Sequence, residues 1–423
     1  MNSDIQTTTL HNGLTITSQY ISGMKSASVN MGIKVGSRYE SKTTAGISHF
    51  IEHMLFKGTI TRPSPLLISD TIEKTGGIIN ASTDHESTIY TCKTDGTHIL
   101  ESLDLLFDMI LNSRFLCADI NMERKVIIEE INGVNDFPDT KAAANLSHLM
   151  WPNQSLGTDI AGTLESVNNI NKTDLIKFHN RYYVPNNICV SLAGNINHSE
   201  VVKAVKKMST NMAPSNLKTF PLATINQNNS KFHLEKRVCD QVHISIGYVV
   251  LSRDDPDRYA IDILGVLLGE GMSSRLFNEV REKRGLAYDI GVSFLPLNDV
   301  GEFQIYASVD KTRYVEAINV ILNEVEKSTF DITEKDIEKS KNLITGRLFL
   351  KMEDTQEVAD WNCYQTMFDK KPKSFEETLL KISSINIKQI KSCSQKMLSK
   401  NKAHISIIGS ITDKNIWSNI DVI

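Results

Sequence analysis

The chain has 423 residues, 40% hydrophobic and 23% charged, which is too long for one compact core and too apolar for a disordered chain, so two or more folded domains are expected. Its 46 basic and 50 acidic residues nearly cancel to a net charge of −4, with no long block of either sign, which argues against a nucleic-acid partner or a polybasic membrane patch. The longest apolar run, residues 246–251, falls far short of the roughly 18 residues of a membrane span, and 22 glycines and 10 prolines exclude collagen-like or low-complexity sequence.

The first residues lack a basic stretch followed by an apolar one, and the six cysteines are scattered with no Cys-x-x-Cys pair. A reduced, cytoplasmic compartment is expected, without a disulfide framework or a Cys-bound metal. Residues 7–10 and 14–18 flank His11-Asn12-Gly13, an Asn-Gly hairpin signal. Residues 29–35 alternate like a sheet strand. The stretch 45–57 reads as a helix, opened by Thr43 or Thr44 as cap and stopped at Gly58. Further on, 119–131 and 333–350 carry helical apolar spacing.

The chain repeats itself at one offset of 215 residues. Residues 188–196 lie over 403–411, with Gly194 meeting Gly409; residues 27–38 lie over 242–253, with Gly32 meeting Gly247 and Ser37-Arg38 meeting Ser252-Arg253. The repeat divides the chain into 1–208 and 231–423, joined by a polar linker over 209–230. Strands followed by helices in each half predict an α+β fold: two homologous domains from an internal duplication, each an antiparallel-rich mixed sheet packed against helices.

The first helix carries His49, Glu52 and His53 at i, i+3 and i+4, so two imidazoles and a carboxylate project from one face. Two such histidines can hold a Zn²⁺ ion at roughly 2.0–2.1 Å per nitrogen, with the carboxylate beside water. The pattern is the His-Glu-x-x-His zinc motif in reverse. A third ligand is needed, and the stretch 119–131, buried in part by Val126, Ile127 and Ile128, offers Glu129 or Glu130. Both stay open from the residues alone. Glu123, one heptad before Glu130, could orient a ligating histidine. Shifted by 215, His49, Glu52, His53 and Glu130 become Leu264, Leu267, Leu268 and Thr345, so one zinc per chain is expected. Gly269-Glu270-Gly271 has the look of a dinucleotide loop but follows an apolar helical stretch, which argues against that role.

Residues 49–59, His-Phe-Ile-Glu-His-Met-Leu-Phe-Lys-Gly-Thr, with Val126-Ile127-Ile128-Glu129-Glu130, resemble the pitrilysin-type zinc peptidases, particularly the short branch of mitochondrial processing peptidase β subunits and bacterial relatives. The resemblance spans the chain. It implies Glu130 as third ligand, Glu123 as auxiliary carboxylate and Glu52 as general base for endopeptidase hydrolysis of unfolded or extended peptides. Residues 77–83 resemble the family's edge strand beside the zinc, implying peptide addition along Asn80 and Ala81. Residues 271–277 and 281–288 resemble the family's second signature, implying Arg281 and Tyr288 as substrate-binding groups.

The chain departs from the processing-peptidase branch where that branch places Arg-recognising acidic residues. Thr140 and Ala144 stand there, with Asp136 and Asp139 nearby, so general peptide cleavage is expected rather than Arg-directed processing. The resemblance further implies a two-chain clamshell, a homodimer in which Arg281 and Tyr288 complete the partner's site. The alternative is a catalytically silent scaffold or partner subunit of a larger peptidase-like complex.

Overall fold

The Asn-Gly turn closes a hairpin as expected: Gly13 has φ of 87° and donates its N–H to Leu10 O at 2.9 Å. Gln6–Thr9 (β1) and Thr15–Tyr20 (β2) pair antiparallel around it. Ser26–Ile33 (β3), Ile78–Thr83 (β4), Thr88–Asp95 (β5) and Ile188–Gly194 (β6) complete a six-stranded sheet in the order β1-β2-β6-β3-β5-β4. Only β2 and β6 run parallel. β3 and β6 are central, and Val29, Met31, Ile33, Val190 and Leu192 on them are buried. The computed structural model describes residues 5–225, 230–369, 373–411 and 416–420.

Phe232–Lys236 (β7), Gln241–Val250 (β8), Ala287–Pro296 (β9), Gly301–Asp310 (β10) and His404–Gly409 (β11) form a five-stranded sheet in the order β7-β11-β8-β10-β9. Its one parallel pair, β7 with β11, stands where β2 with β6 stands in the first sheet. The 215-residue offset persists through the architecture. Ser26 opening β3 corresponds to Gln241 opening β8, and Asp95 closing β5 to Asp310 closing β10. Helix Ile99–Asn112 corresponds to Tyr314–Lys327, and Lys172–Tyr182 to Ile387–Met397. The fold is the expected α+β duplication. No helix among the described residues is long and apolar enough to cross a membrane.

The compact units are not the contiguous halves that the sequence suggests. One comprises 1–131, 159–221 and 348–374, and the other 132–158, 222–347 and 375–423. Each half lends one helix: Pro138–Met150 belongs to the second unit and packs on β8 and β11, while Thr355–Phe368 belongs to the first and packs on β2, β3 and β6. Sequence periodicity marks an apolar helix face without saying which of two equivalent sheets will cover it. The expected linker is likewise no loose tether. Residues 209–221 belong to the first unit, where Ser215 and Asn186 exchange two hydrogen bonds of 2.9 and 3.0 Å and Phe220 lies 3.9 Å beneath the Arg38 guanidinium. Residues 226–229 of it lie outside the described residues.

The exchanged helices explain the matched glycines Gly32 and Gly247. A Cβ on Gly32 would lie 2.6 Å from Cys363 Sγ and 2.7 Å from Met367 Sδ; one on Gly247 would lie 2.4 Å from Met150 Sδ and 2.9 Å from a Leu146 methyl. Both positions let a helix approach the sheet closely. Gly32→Val and Gly247→Val are each expected to cost about 1–3 kcal/mol through overpacking, read as a lower urea midpoint, with Ala at either position costing less.

Candidate metal centre

The helix Ile47–Leu55 buries Phe50, Ile51, Met54 and Leu55 and leaves His49, Glu52 and His53 on its half-exposed face. Its start differs from expectation. Thr43 and Thr44 lie in a preceding short turn, Lys42–Thr44, and the cap position is Gly46 at φ 90°, which has no side chain to offer. Glu40 supplies the oxygens instead, accepting from Gly46 N–H at 2.7 Å and Ser48 N–H at 2.8 Å. Burial pushes the Glu40 carboxyl up to about 7, against the hydrogen bonds from Ser48 and Gly46. Gly58, at φ 128°, follows the end of the helix as expected.

The second contributing helix runs Cys117–Asp136, longer at both ends than its apolar spacing indicated. Ile120, Glu123, Ile127 and Ile131 form its buried stripe, whereas Val126 is exposed. Arg124 ties it down by donating to Val167 O and Ile170 O and by lying 5.5 Å above the Phe50 ring of the first helix.

Two helices so fixed bring three side-chain atoms together. His49 Nε2 and His53 Nε2 lie 3.1 Å apart, and Glu130 Oε2 lies 3.7 and 3.6 Å from them. Ligands of a tetrahedral zinc, each roughly 2.0–2.2 Å from the ion, are roughly 3.4 Å apart, so the triangle has the dimensions of a coordination face. Among the described residues, His49, His53 and Glu130 are the one group of three or more such side chains arranged to hold a metal. The residues alone left Glu129 and Glu130 open and the resemblance implied Glu130; the convergent carboxylate is Glu130. An N, N, O donor set suits zinc.

Around this triangle the electrostatics are ordered. Burial, with the charge of His53, pulls the His49 imidazole down to about 4, so at neutral pH it is uncharged and has a lone pair to offer. His49 Nδ1 is buried without a hydrogen-bond partner among the described residues. Burial lowers His53 too, but the Glu123 hydrogen bond and the charges of Glu130, Glu123 and Glu52 outweigh it and leave the imidazole above its usual value. Glu123 Oε1 meets His53 Nδ1 at 2.8 Å, and Glu123 Oε2 pairs with Lys57. Those two partners hold the buried Glu123 carboxyl below the usual range although burial raises it. Lys57 is a neighbour that no sequence pattern singles out, since only the fold carries it to a carboxylate on another helix. Glu52 is raised by burial, and its Oε2 accepts from Thr83 Oγ1 at 2.5 Å.

Thr83 ends β4, the outermost strand of its sheet, so β4 presents one row of backbone groups that no strand among the described residues pairs. Asn80 and Ala81 lie on it, opposite Thr91 and Tyr90, and Asn80 Oδ1 accepts from Ala81 N–H at 2.9 Å. Arg281 and Tyr288 belong to the other unit, Arg281 on the helical turn Phe277–Glu282 and Tyr288 near the start of that unit's own edge strand β9. There the Arg281 guanidinium lies 4.7 Å from the Phe277 ring and 5.7 Å from the Tyr288 ring, and Tyr288 is 74% exposed. Thr140 Oγ1 donates to Val134 O and Phe137 O, and Asp139 accepts from Thr140 N–H. In the second unit Leu264, Leu267 and Leu268 are buried on helix Arg258–Gly269, core residues where the first unit has its ligands.

A family model described as Insulinase (Peptidase family M16) matches residues 15–164, and one described as Peptidase M16 inactive domain matches residues 169–344. An uncharacterized zinc protease of Mycobacterium leprae is 32% identical over 397 residues, covering 93% of this chain and 89% of the relative. One of Bacillus subtilis is 31% identical over 400 residues, covering 93% and 96%. The crystal structure of a protease from Helicobacter pylori superposes with a TM-score of 0.90 at 22% identity, covering 96% of this chain and 99% of that one. A chain of complex III2 from Candida albicans does so at 0.84 and 19%, covering 98% and 99%; at these identities the likeness speaks for the fold. Matched in both halves by models of one family, and by relatives whose length it nearly spans, the chain belongs to peptidase family M16, the pitrilysin-type peptidases.

Proposed function

We propose that the chain is a zinc-dependent endopeptidase that cuts unfolded or extended peptides. The carrying observation is the triangle of His49 Nε2, His53 Nε2 and Glu130 Oε2, with Glu52 on the same helical face. These three would hold one Zn²⁺, and the relatives called zinc proteases support that metal. Bound there, zinc supplies Lewis-acid polarisation of a peptide carbonyl and acidifies water. Glu52, raised by burial, takes the proton of the attacking water and passes it to the leaving amine. Glu123 keeps the His53 ring turned so that Nε2 faces the metal.

The free edge of β4 accepts an extended peptide as a further strand, through backbone groups at Asn80 and Ala81. Such pairing selects extension over sequence. With Thr140 capping backbone carbonyls and Ala144 apolar, no acidic pair stands where Arg recognition would need one. Arg281 and Tyr288 donate to carbonyls of a peptide held in the site of a second copy, so the working form is a homodimer.

Removal of zinc with a chelator is expected to abolish cleavage of a quenched peptide, and added Zn²⁺ to restore it. Glu52→Gln should bind zinc normally and lose about 10²- to 10⁴-fold in kcat. A wild-type chain that binds zinc and cuts no peptide would be the scaffold subunit instead. Glu123→Ala should weaken zinc about 10- to 100-fold in chelator competition while Glu129→Ala leaves it unchanged. Mixing Glu52→Gln chains with Arg281→Ala chains should recover part of the activity; a mixture as inactive as its components counts against completion by the partner.

A further inference from the structure

A carboxylate that must collect a proton has to present one oxygen in one direction, yet the terminal torsion of a glutamate is broad. The ligand helix fixes where Glu52 begins but not how its carboxylate plane is turned. Thr83 is a side chain that acts on that plane, donating its hydroxyl to Glu52 Oε2 at 2.5 Å.

Thr83 is itself held from the far side of the hairpin. It pairs with Thr88 where β4 ends and β5 begins, and the turn between them is closed by Asp84 N–H donating to Ser87 O at 2.8 Å. The segment 36–38 is clamped onto that turn. Ser37 N–H and Arg38 N–H donate to Asp84 O and His85 O at 3.2 and 2.9 Å, and Ser37 Oγ lies 2.9 Å from His85 Nδ1. A Cβ on Gly36 would stand 2.0 Å from Asp84 O, so no other residue permits this approach. Arg38 and Glu86 pair at 2.7 Å with side chains only 1% and 4% exposed. A turn fixed by two backbone bonds and a buried ion pair gives Thr83 little room to drift.

The duplication supplies an internal control. The residues 215 further on from Glu52 and Thr83 are Leu267 and Asn298, while Arg38 keeps its counterpart in Arg253. Donor and acceptor are both replaced in the copy that has no ligand triad, and the clamp arginine is retained.

We propose that Thr83 is a positioning residue for the general base: its hydroxyl, set by the clamped hairpin, turns the Glu52 carboxylate so that one oxygen faces the attacking water. The strand that receives the peptide thereby also aims the base. This rests on the peptidase reading above. The test uses the full-length chain loaded with zinc and a quenched peptide. Thr83→Val keeps the β-branched shape without the hydroxyl, and Thr83→Ser keeps the hydroxyl without the methyl. Thr83→Val should lose about 10- to 30-fold in kcat, less than Glu52→Gln loses, with KM and zinc affinity unchanged; Thr83→Ser should stay within about threefold of wild type. A crystal structure of the zinc-loaded Thr83→Val chain should show the Glu52 carboxylate rotated or in several orientations. The proposal is overturned if Thr83→Val retains wild-type kcat while Glu52→Gln is inactive, or if Thr83→Ser falls as far as Thr83→Val. Should the wild type cut nothing, the peptidase reading fails separately, and an unmoved Glu52 carboxylate in the Thr83→Val crystal overturns the positioning role by itself.

Discussion

Three side-chain atoms stand within 3.1–3.7 Å of one another at His49, His53 and Glu130, and the packing of the two helices that carry them holds them there. The two imidazole nitrogens sit at hydrogen-bonding distance, so one ring can donate to the other, and the surrounding burial has to impose where the rings and the carboxylate stand. Two helices impose it. One buries Phe50, Ile51, Met54 and Leu55; the other buries Ile120, Ile127 and Ile131, and Arg124 bridges them across the Phe50 ring. Moving Glu130 away from the histidines means moving a packed helix.

The polar surroundings are built in layers on that packing. Lys57 holds one oxygen of Glu123, which leaves the other for His53 Nδ1, which leaves Nε2 facing His49 Nε2 and Glu130 Oε2. Each contact removes one alternative orientation from the next group inward. Glu40 does comparable work at the opposite end of the helix, where glycine at the cap position would otherwise leave N–H groups unmet.

Duplication followed by divergence accounts for the two units. Both keep the sheet order, the single parallel pair, the close-packed glycine at Gly32 and Gly247, and the exchanged helix above it. They differ where chemistry is concerned: polar ligands in one copy, buried leucines in the other. A helix position can be core or coordination shell on one backbone, because the difference lies in whether its face meets apolar side chains or an opening.

That His49, Glu52 and His53 share one face was legible because i, i+3 and i+4 on a helix do so whatever the tertiary setting. The duplication was legible because strands and helices of both copies obey one unbroken offset, and the α+β class followed from element order. Other features were not. The choice of Glu130 over Glu129 turns on how the second helix is rotated, which the buried stripe through Glu123 sets and a partly exposed Val126 disguised. The helix exchange was invisible because two homologous sheets offer equivalent apolar beds. Lys57 meeting Glu123, Thr83 meeting Glu52 and Arg38 meeting Glu86 join residues far apart in the chain, and no local period records such meetings. The sequence by itself determined which residue types share a helical face and how often the pattern recurs, since those follow from backbone geometry. Tertiary structure alone decided which sheet each exchanged helix covers and which distant side chains meet Glu52 and Glu123, because those depend on packing between elements.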